Sequence, residues 1–208
     1  MSLEKKLGKV GLVARFKPLH NGGATMLEAL CEQAEYVIIG IGSSNKYNAR
    51  NPFTAEESKA MVEVFLSPRY SNYTILLIPD YGHVPEYSDG QRWKQEVRQQ
   101  FGSLDAFISG NPYVTGLLQD SYPVVHPVEL VPEDKRVRVS GTMVRIEMAK
   151  GGNWRGLVPE PVAAYLEKNG LVERFRQEFG LQTLAQLAER DYQKLEDGKA
   201  EKLHVQER

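Results

Sequence analysis

Short apolar segments alternate with segments of helical periodicity along this 208-residue chain, and this alternation constrains its fold more than any other feature. Residues 36–41 (YVIIGI) are apolar on both faces, which is typical of a strand inside a parallel sheet. Further strands are predicted at residues 9–13, 73–79 and 105–109, and helices at residues 22–34 and 90–101. Thr54, with Glu57 three residues on, has the pattern of a capping box and predicts a further helix start. Strands that alternate with helices predict a mostly parallel sheet between layers of helices.

After residue 152 the pattern predicts helices alone. They are expected at residues 159–168, 171–178 and 184–197, the last with Thr183 as its N-cap. We therefore predict a Rossmann-like three-layer α/β domain in residues 1–150 and a C-terminal helical subdomain in residues 151–208 that packs on it. The last ~15 residues are rich in Lys and Glu and are predicted to be solvated or frayed.

Composition excludes several classes of protein. A formal net charge of -1 lacks the basic excess of a surface built to bind nucleic acid. No apolar run reaches the roughly 18 residues that a membrane span needs. Cys31 is the only cysteine, so an internal disulfide is excluded and a cytoplasmic location is expected. Its position on the apolar face of a predicted helix favours a buried structural thiol over a nucleophile.

Residues 14–23 (ARFKPLHNGG) follow the first predicted strand and have the form of a phosphate-binding turn. Glycines open a helix whose unpaired N–H groups and positive dipole end form an anion site. His20 is expected to contact a phosphate there; the alternative is a helix-start residue packed on a neighbouring loop. Arg15 and Lys17 are either surface cations or the local positive charge that the composition as a whole lacks.

Residues 140–145 (SGTMVR) form a second candidate phosphate-binding segment, with hydroxyls and an arginine at a predicted helix start. Ser140 is predicted as an N-cap, with Thr142 and Arg145 as an i,i+3 pair, and a guanidinium matches phosphate oxygens. An extended segment is expected to end at Val139. On this interpretation four loops follow strands and lie at one edge of the sheet, at residues 22–23, 42–44, 109–111 and 140–142.

Other polar positions leave alternatives open. Arg50 is either a solvated cation or a phosphate ligand on a Gly/Ser-rich loop. Trp93 is either a core residue or a platform on which a flat ring stacks, and Asn111 is either a turn residue or a ligand group. No metal site is predicted, since His83, His126 and His204 lack the spacing of metal ligands. A G-x-G-x-x-G fingerprint is absent, so hydride transfer has no support.

Taken in order, these segments resemble the nucleotidyltransferase superfamily with H-x-G-H and S-x-T-x-x-R motifs. The closer resemblance, over roughly residues 8–175, is to the archaeal-type nicotinamide mononucleotide (NMN) adenylyltransferases. It rests on residues 15–22 (R-F-x-P-x-H-N-G), 39–43 (IGIGS), 51–54 (NPFT), Trp93, 109–111 (SGN), 140–145 (S-G-T-x-V-R) and 154–159 (W-R-x-L-V-P), where x marks a position outside the match.

The resemblance implies transfer of AMP from ATP to NMN, giving NAD and pyrophosphate, with Mg²⁺ bound to the ATP. Catalytic roles are expected for His20, Lys17 and Arg145. ATP and phosphate contacts are expected from Arg15, Phe16, Gly22, Gly23, Arg50, Ser140, Gly141 and Thr142. Trp93 would stack on the nicotinamide and Asn111 would hold the mononucleotide. Homo-oligomers are frequent in this family, so we expect one here.

Two residues depart from the family pattern. Ala14 stands where the first motif usually begins with Gly, and Gly23 stands in place of the second His of H-x-G-H. Loss of one preorganised donor costs on the order of 10²–10³ in rate, so Gly23 predicts a slower enzyme unless Lys17 or a water substitutes. The alternatives are a related nucleotidyltransferase with another phosphorylated acceptor and a nucleotide-binding protein that has lost catalysis.

Overall fold

A five-stranded sheet forms the centre of the molecule. The computed structural model describes residues 7–206, with side chains described for residues 7–193. The strands are Leu7–Ala14 (β1), Ala34–Gly42 (β2), Tyr73–Ile78 (β3), Ala106–Ile108 (β4) and Val124–Val125 (β5). All neighbours pair in parallel in the order β3-β2-β1-β4-β5, which confirms the predicted α/β class.

Helices connect the strands and follow them. They are Asn21–Gln33 (α1), Ala55–Leu66 (α2), Gln91–Phe101 (α3), Pro112–Leu118 (α4), Gly141–Lys150 (α5), Glu160–Lys168 (α6), Leu171–Phe175 (α7) and Leu181–Gln206 (α8). The predicted capping box is confirmed: the Glu57 N–H donates to Thr54 Oγ1 at 3.2 Å, and the Thr54 N–H donates to the Glu57 carboxylate at 2.9 Å. In the described part of the chain, none of these helices has both the length and the apolar character of a membrane span.

Alternating side chains of the strands pack on opposite faces of the sheet. On β2, Val37, Ile39 and Ile41 contribute to a large apolar core together with buried residues of α1, α2, α5, α6 and α7. Cys31 is buried in this core, as its position on the helix predicted. Ile38 points to the other face and joins a smaller core with buried residues of α3 and α4. Helices therefore cover both faces of the sheet.

The C-terminal helices share the larger core with the sheet. Phe175 is fully buried, and its ring centroid lies 6.3 Å from that of Phe53. Arg174 donates both terminal nitrogens to the Glu57 carboxylate, at 2.6 and 2.7 Å, which ties α7 to α2. The division of the chain at residues 150 and 151 stays a prediction.

Two local predictions were wrong. Thr183 does not cap a helix, because α7 continues through a π-helical turn, Arg176–Gly180, into α8. The loop at residues 140–142 does not follow a strand, since residues 136–140 have no regular secondary structure. Helix α4 was not predicted. The helical backbone of α8 continues to Gln206, while the side chain of His204 lies outside the described residues.

Candidate active site

A cavity of about 830 Å³ opens at the carboxyl ends of β1 and β4. The chain leaves β1 on one side to form β2 and β3 and returns to the other side to form β4, and ligands of open α/β sheets bind at this reversal. All of the predicted site residues line the cavity: Arg15, Phe16, Lys17, His20, Gly22, Gly23, Arg50, Trp93, Asn111, Ser140, Gly141, Thr142 and Arg145. The predicted gathering of four loops at one edge therefore holds, although only three of them follow strands.

His20 is the N-cap of α1, and its side chain is fixed by that role. Its Nδ1 accepts the Gly23 N–H at 3.1 Å, so the proton of the neutral ring resides on Nε2. Burial, and then the positive charge of Arg145, lower the pKa of His20 to about 4. At neutral pH the imidazole is an uncharged hydrogen-bond donor through Nε2.

Gly22 and Gly23 differ in how much space surrounds them. A Cβ at Gly22 would lie 2.6 Å from the Val137 carbonyl oxygen and 3.1 Å from that of Val139, so the close approach of backbone requires glycine. A Cβ at Gly23 would meet only side-chain atoms, the nearest being Leu19 Cδ1 at 3.4 Å. Packing therefore requires Gly22, whereas position 23 has room for the start of a larger side chain.

The second motif is anchored to the first through Arg145. This buried guanidinium donates to the Lys17 carbonyl oxygen at 2.9 Å and to Thr142 Oγ1 at 3.1 Å, which confirms the predicted i,i+3 pair. Ser140 caps α5, as predicted, by accepting the Met143 N–H at 3.3 Å. Burial and the charges of Arg15 and Arg50 lower the pKa of Arg145 to about 10.

Lys17 lines the cavity, but its ammonium faces backbone. Lys17 is 2% exposed, and its Nζ donates to the carbonyl oxygens of Ser43 and Lys46, at 3.0 and 3.4 Å. Burial, followed by the charge of Arg15, lowers the pKa of Lys17 to about 8. The ammonium thus holds the loop after β2 against the turn after β1 and retains one N–H for a ligand.

Positive charge is concentrated at this end of the cavity. Arg50 is exposed on the loop after β2, and Arg15 is half-buried beside it. The pKa of Arg15 is lowered by burial and then by the charge of Arg50, with Asp80 acting in the opposite direction. Each guanidinium disfavours the positive charge of the other, and a bound anion would offset this repulsion.

Two residues without glycine's conformational freedom have left-handed backbone here. Phe16 has φ 49° in the turn after β1, and Ser43 has φ 52° in the loop after β2. Such conformations are strained for residues with a Cβ and cluster at functional sites. Both residues line the cavity, so the strain coincides with the place where ligand contacts are expected.

Asp80 is a cavity residue that the sequence analysis missed. It is the carboxylate among the described lining residues, and it accepts hydrogen bonds from Ser43 Oγ at 3.0 Å and from the Gly82 N–H at 2.9 Å. Burial alone would raise the pKa of Asp80, but these bonds hold it below its usual value. Its position just beyond β3, at the carboxyl edge of the sheet, was the signal that could have identified it.

The far wall of the cavity carries Trp93 and Asn111. Trp93 is half-buried and also lines a side pocket of about 190 Å³ together with Tyr81, Tyr87 and Tyr113. Asn111 caps α4 through its Oδ1, which accepts the Tyr113 N–H at 3.0 Å, and it lines the main cavity as well. The turn role and the ligand role of Asn111 are therefore compatible.

Fold and site together define a nucleotide-binding α/β protein whose cavity has a cationic end and an aromatic end. Residues 12–147 match the model of the cytidylyltransferase-like family, and the chain belongs to that family. Among described residues, no group of three or more His, Cys, Asp or Glu side chains is arranged to hold a metal ion.

Within this family, the chain is similar to proteins named nicotinamide-nucleotide adenylyltransferases. The nicotinamide-nucleotide adenylyltransferase of Thermoplasma volcanium is 30% identical over 167 residues, covering 80% of this chain and 89% of that protein. The one from Pyrococcus furiosus is 33% identical over 171 residues, covering 79% and 85%. The resemblance stated from the sequence is confirmed.

A solved structure supports the fold. The bifunctional NMN adenylyltransferase/ADP ribose pyrophosphatase of Francisella tularensis, crystallised with AMP and a manganese ion, superposes with a TM-score of 0.62 at 20% identity. The match covers 91% of this chain and 55% of that one, so this chain spans about half of the bifunctional protein.

Proposed function

We propose that this protein transfers AMP from ATP to nicotinamide mononucleotide, giving NAD and pyrophosphate. One observation carries the proposal: a single cavity joins the turn after β1, the motif of residues 140–145 and the Trp93 wall. The cationic end suits the phosphates of ATP, and a flat aromatic platform suits a pyridine ring. The archaeal relatives named for this reaction support the same assignment.

The reaction needs no general base. The phosphate of NMN is largely anionic at pH 7, because its second pKa is about 6. It attacks the α-phosphorus of ATP in line, and the bond from that phosphorus to the bridging oxygen breaks with departure of pyrophosphate. The work left to the protein is positioning and neutralisation of the developing negative charge.

Each site residue has a role in that work. Neutral His20 donates its Nε2–H to a phosphate oxygen, and the backbone N–H groups that open α1 add further donors. Arg145 holds the two motifs together and contributes its charge, while Arg15 and Arg50 bind the outer phosphates. Lys17 acts chiefly by positioning the loop that carries Arg50. Trp93 stacks on the nicotinamide and Asn111 holds the mononucleotide.

Mg²⁺ is proposed as the cation, carried in by ATP. A protein-only cage is not needed, because Mg²⁺ commonly binds through one or two carboxylates and the phosphates of its nucleotide. Asp80, at the cavity wall, fits that carboxylate role. The bound cation would neutralise charge on the phosphates.

A second candidate is a nucleotide-binding protein without catalysis, which Gly23 favours. The missing imidazole would act mainly in the transition state, so ligand binding would suffer less than turnover. We further propose that the protein is cytoplasmic and binds no nucleic acid, which the single cysteine and the near-zero net charge support. A homo-oligomer is proposed on the resemblance alone.

The deciding experiment is Mg²⁺-dependent NAD formation from ATP and NMN by the unaltered chain, by Gly23→His and by Gly23→Ala. The space around Gly23 admits a Cβ, so Gly23→Ala controls for the added carbon without an imidazole. We expect NAD from the unaltered chain and turnover about 10²-fold faster for Gly23→His alone. NAD only from Gly23→His would select the binding protein. No NAD from any folded variant would contradict the adenylyltransferase.

A further inference from the structure

A second cavity adjoins the phosphate end of the first and brings in the C-terminal helix. It measures about 450 Å³ and shares Arg15, Arg50, Thr142 and Arg145 with the main cavity. Its remaining lining comes from Ala49 and from α8, with Thr183, Gln186, Glu189 and Arg190. The family match ends at residue 147, so α8 lies outside it.

The charge of this cavity is strongly positive. Four arginines line it, Arg15, Arg50, Arg145 and Arg190, against one acidic residue, Glu189. The described salt bridges within residues 7–193 include none of these four arginines, and Arg190 Nε donates only to the Gln186 carbonyl oxygen of its own helix, at 3.3 Å. The charge of Arg190 also contributes to the lowered pKa of Arg145. Arginines gathered without acidic partners form a site for a polyanion.

A buried hydroxyl in the same cavity lacks a partner. Thr183 is 7% exposed, and its Oγ1 has no hydrogen-bond partner among the described residues. Leaving such a group unpaired costs about 1–3 kcal/mol, so buried hydroxyls are nearly always bonded. A phosphate oxygen in the cavity would supply the missing partner.

We propose that α8 completes the subsite for the two outer phosphates of ATP, with Arg190 and the Thr183 hydroxyl as ligands of the pyrophosphate that leaves. The assignment rests on the proposed function. As the NMN oxygen bonds to the α-phosphorus, the electron pair of the broken bond passes to the oxygen that bridged the α- and β-phosphorus of ATP, which leaves as a terminal oxygen of pyrophosphate. The second cavity gathers positive charge for that leaving group, while Arg145 links it to the reacting centre.

The test is calorimetric titration of the full chain with Mg²⁺-pyrophosphate and, separately, with AMP. Removing one partly exposed charged ligand should weaken pyrophosphate binding about tenfold in Arg190→Gln and leave AMP binding unchanged. Glu189→Gln should tighten pyrophosphate binding, because it removes the opposing charge. Arg98→Gln is the matched control: an exposed arginine on α3 that lines neither cavity.

Two results would overturn the subsite: unchanged pyrophosphate binding in Arg190→Gln, or equal losses of pyrophosphate and AMP affinity. The titration needs no turnover, so it separates this inference from the proposed function. Pyrophosphate binding that depends on Arg190 in a chain making no NAD would keep the subsite and refute the reaction. If the chain makes NAD but its pyrophosphate binding does not depend on Arg190, the reaction would stand and the subsite would be refuted.

Discussion

His20 shows how a capping interaction can set the chemistry of a side chain. A helix N-cap usually accepts a hydrogen bond through a side-chain oxygen. Here an imidazole nitrogen takes that place, and its bond to the Gly23 N–H leaves the ring proton on Nε2. Burial, and then the positive charge of Arg145, disfavour the charged form of the ring, so the imidazole stays neutral where a phosphate would bind.

The titration of His20 follows from this geometry. Without ligand we expect NMR to give a pKa of about 4, far below the ordinary 6.5. Pyrophosphate should raise it, because a nearby anion favours the charged ring, whereas sodium chloride at matched ionic strength should not. The unfolded chain binds the proton more readily between pH 6.5 and 4, so His20 lowers stability as the pH falls through that window. A ligand-free pKa near 6.5 would contradict the buried N-cap.

Sequence reasoning reached most of the site at this scale because its signals were local. Motifs next to strand ends and helix starts identified His20 and Arg145. Asp80 and Arg190 were missed. The position of Asp80 just after a strand was a signal, but a lone carboxylate there is weak evidence. The position of Arg190 depends on the direction in which α8 leaves the π-helical turn.

Among the elements, the loop after β2 is held by the π-helical turn. Tyr47 donates its hydroxyl to the Glu178 carboxylate, and its ring meets that of Phe179 edge-on with 5.2 Å between centroids. The guanidinium carbon of Arg174 lies over the Tyr47 ring, 5.8 Å from its centroid. Burial and the bond to Glu178 raise the pKa of Tyr47 to about 12. Because Arg50 is on this loop, the contact helps to position an arginine that we propose as a phosphate ligand.

Tyr47→Phe tests this positioning. Loss of the hydrogen bond to a charged group should raise the KM for ATP about threefold with little change in kcat, as measured by NAD formation. Tyr70→Phe is the matched control, since Tyr70 also donates to a carboxylate, Glu32 at 3.0 Å, but lines none of the described cavities. An equal effect of both changes on the KM would show that Tyr47 acts only through stability.

The elements themselves were predicted where periodicity was strong and missed where tertiary contacts decide. The strands of the sheet centre and helices α1 to α3 have clear apolar periods. Helix α4 spans only seven residues and contains Gly116, so its local signal is weak. Thr183 and Gln186 imitate a helix start, but packing of α7 against the core carries the helix through that point.

At the scale of the whole molecule, one apolar core joins the sheet to the C-terminal helices. Phe175→Ala should therefore destabilise the entire fold by about 3–5 kcal/mol, as seen in urea denaturation. Hydrogen exchange should show equal losses of protection in β1 and α6. Leu181→Ala is the control from the neighbouring helix, because Leu181 is 85% exposed. Loss of protection in α6 alone would instead support residues 151–208 as a separately folding unit.

The order of the sheet also bears on how the chain assembles. Strands β1, β2 and β3 are neighbours both in sequence and in space, so three of the five strands can pair once residues 7–78 are present. This part of the chain already contains Arg15 and Arg50. Trp93 and Asn111 follow later in the chain, and Arg145 follows them. On a chain leaving the ribosome, part of the proposed phosphate-binding end can thus take shape before the wall proposed to meet the acceptor has been synthesised.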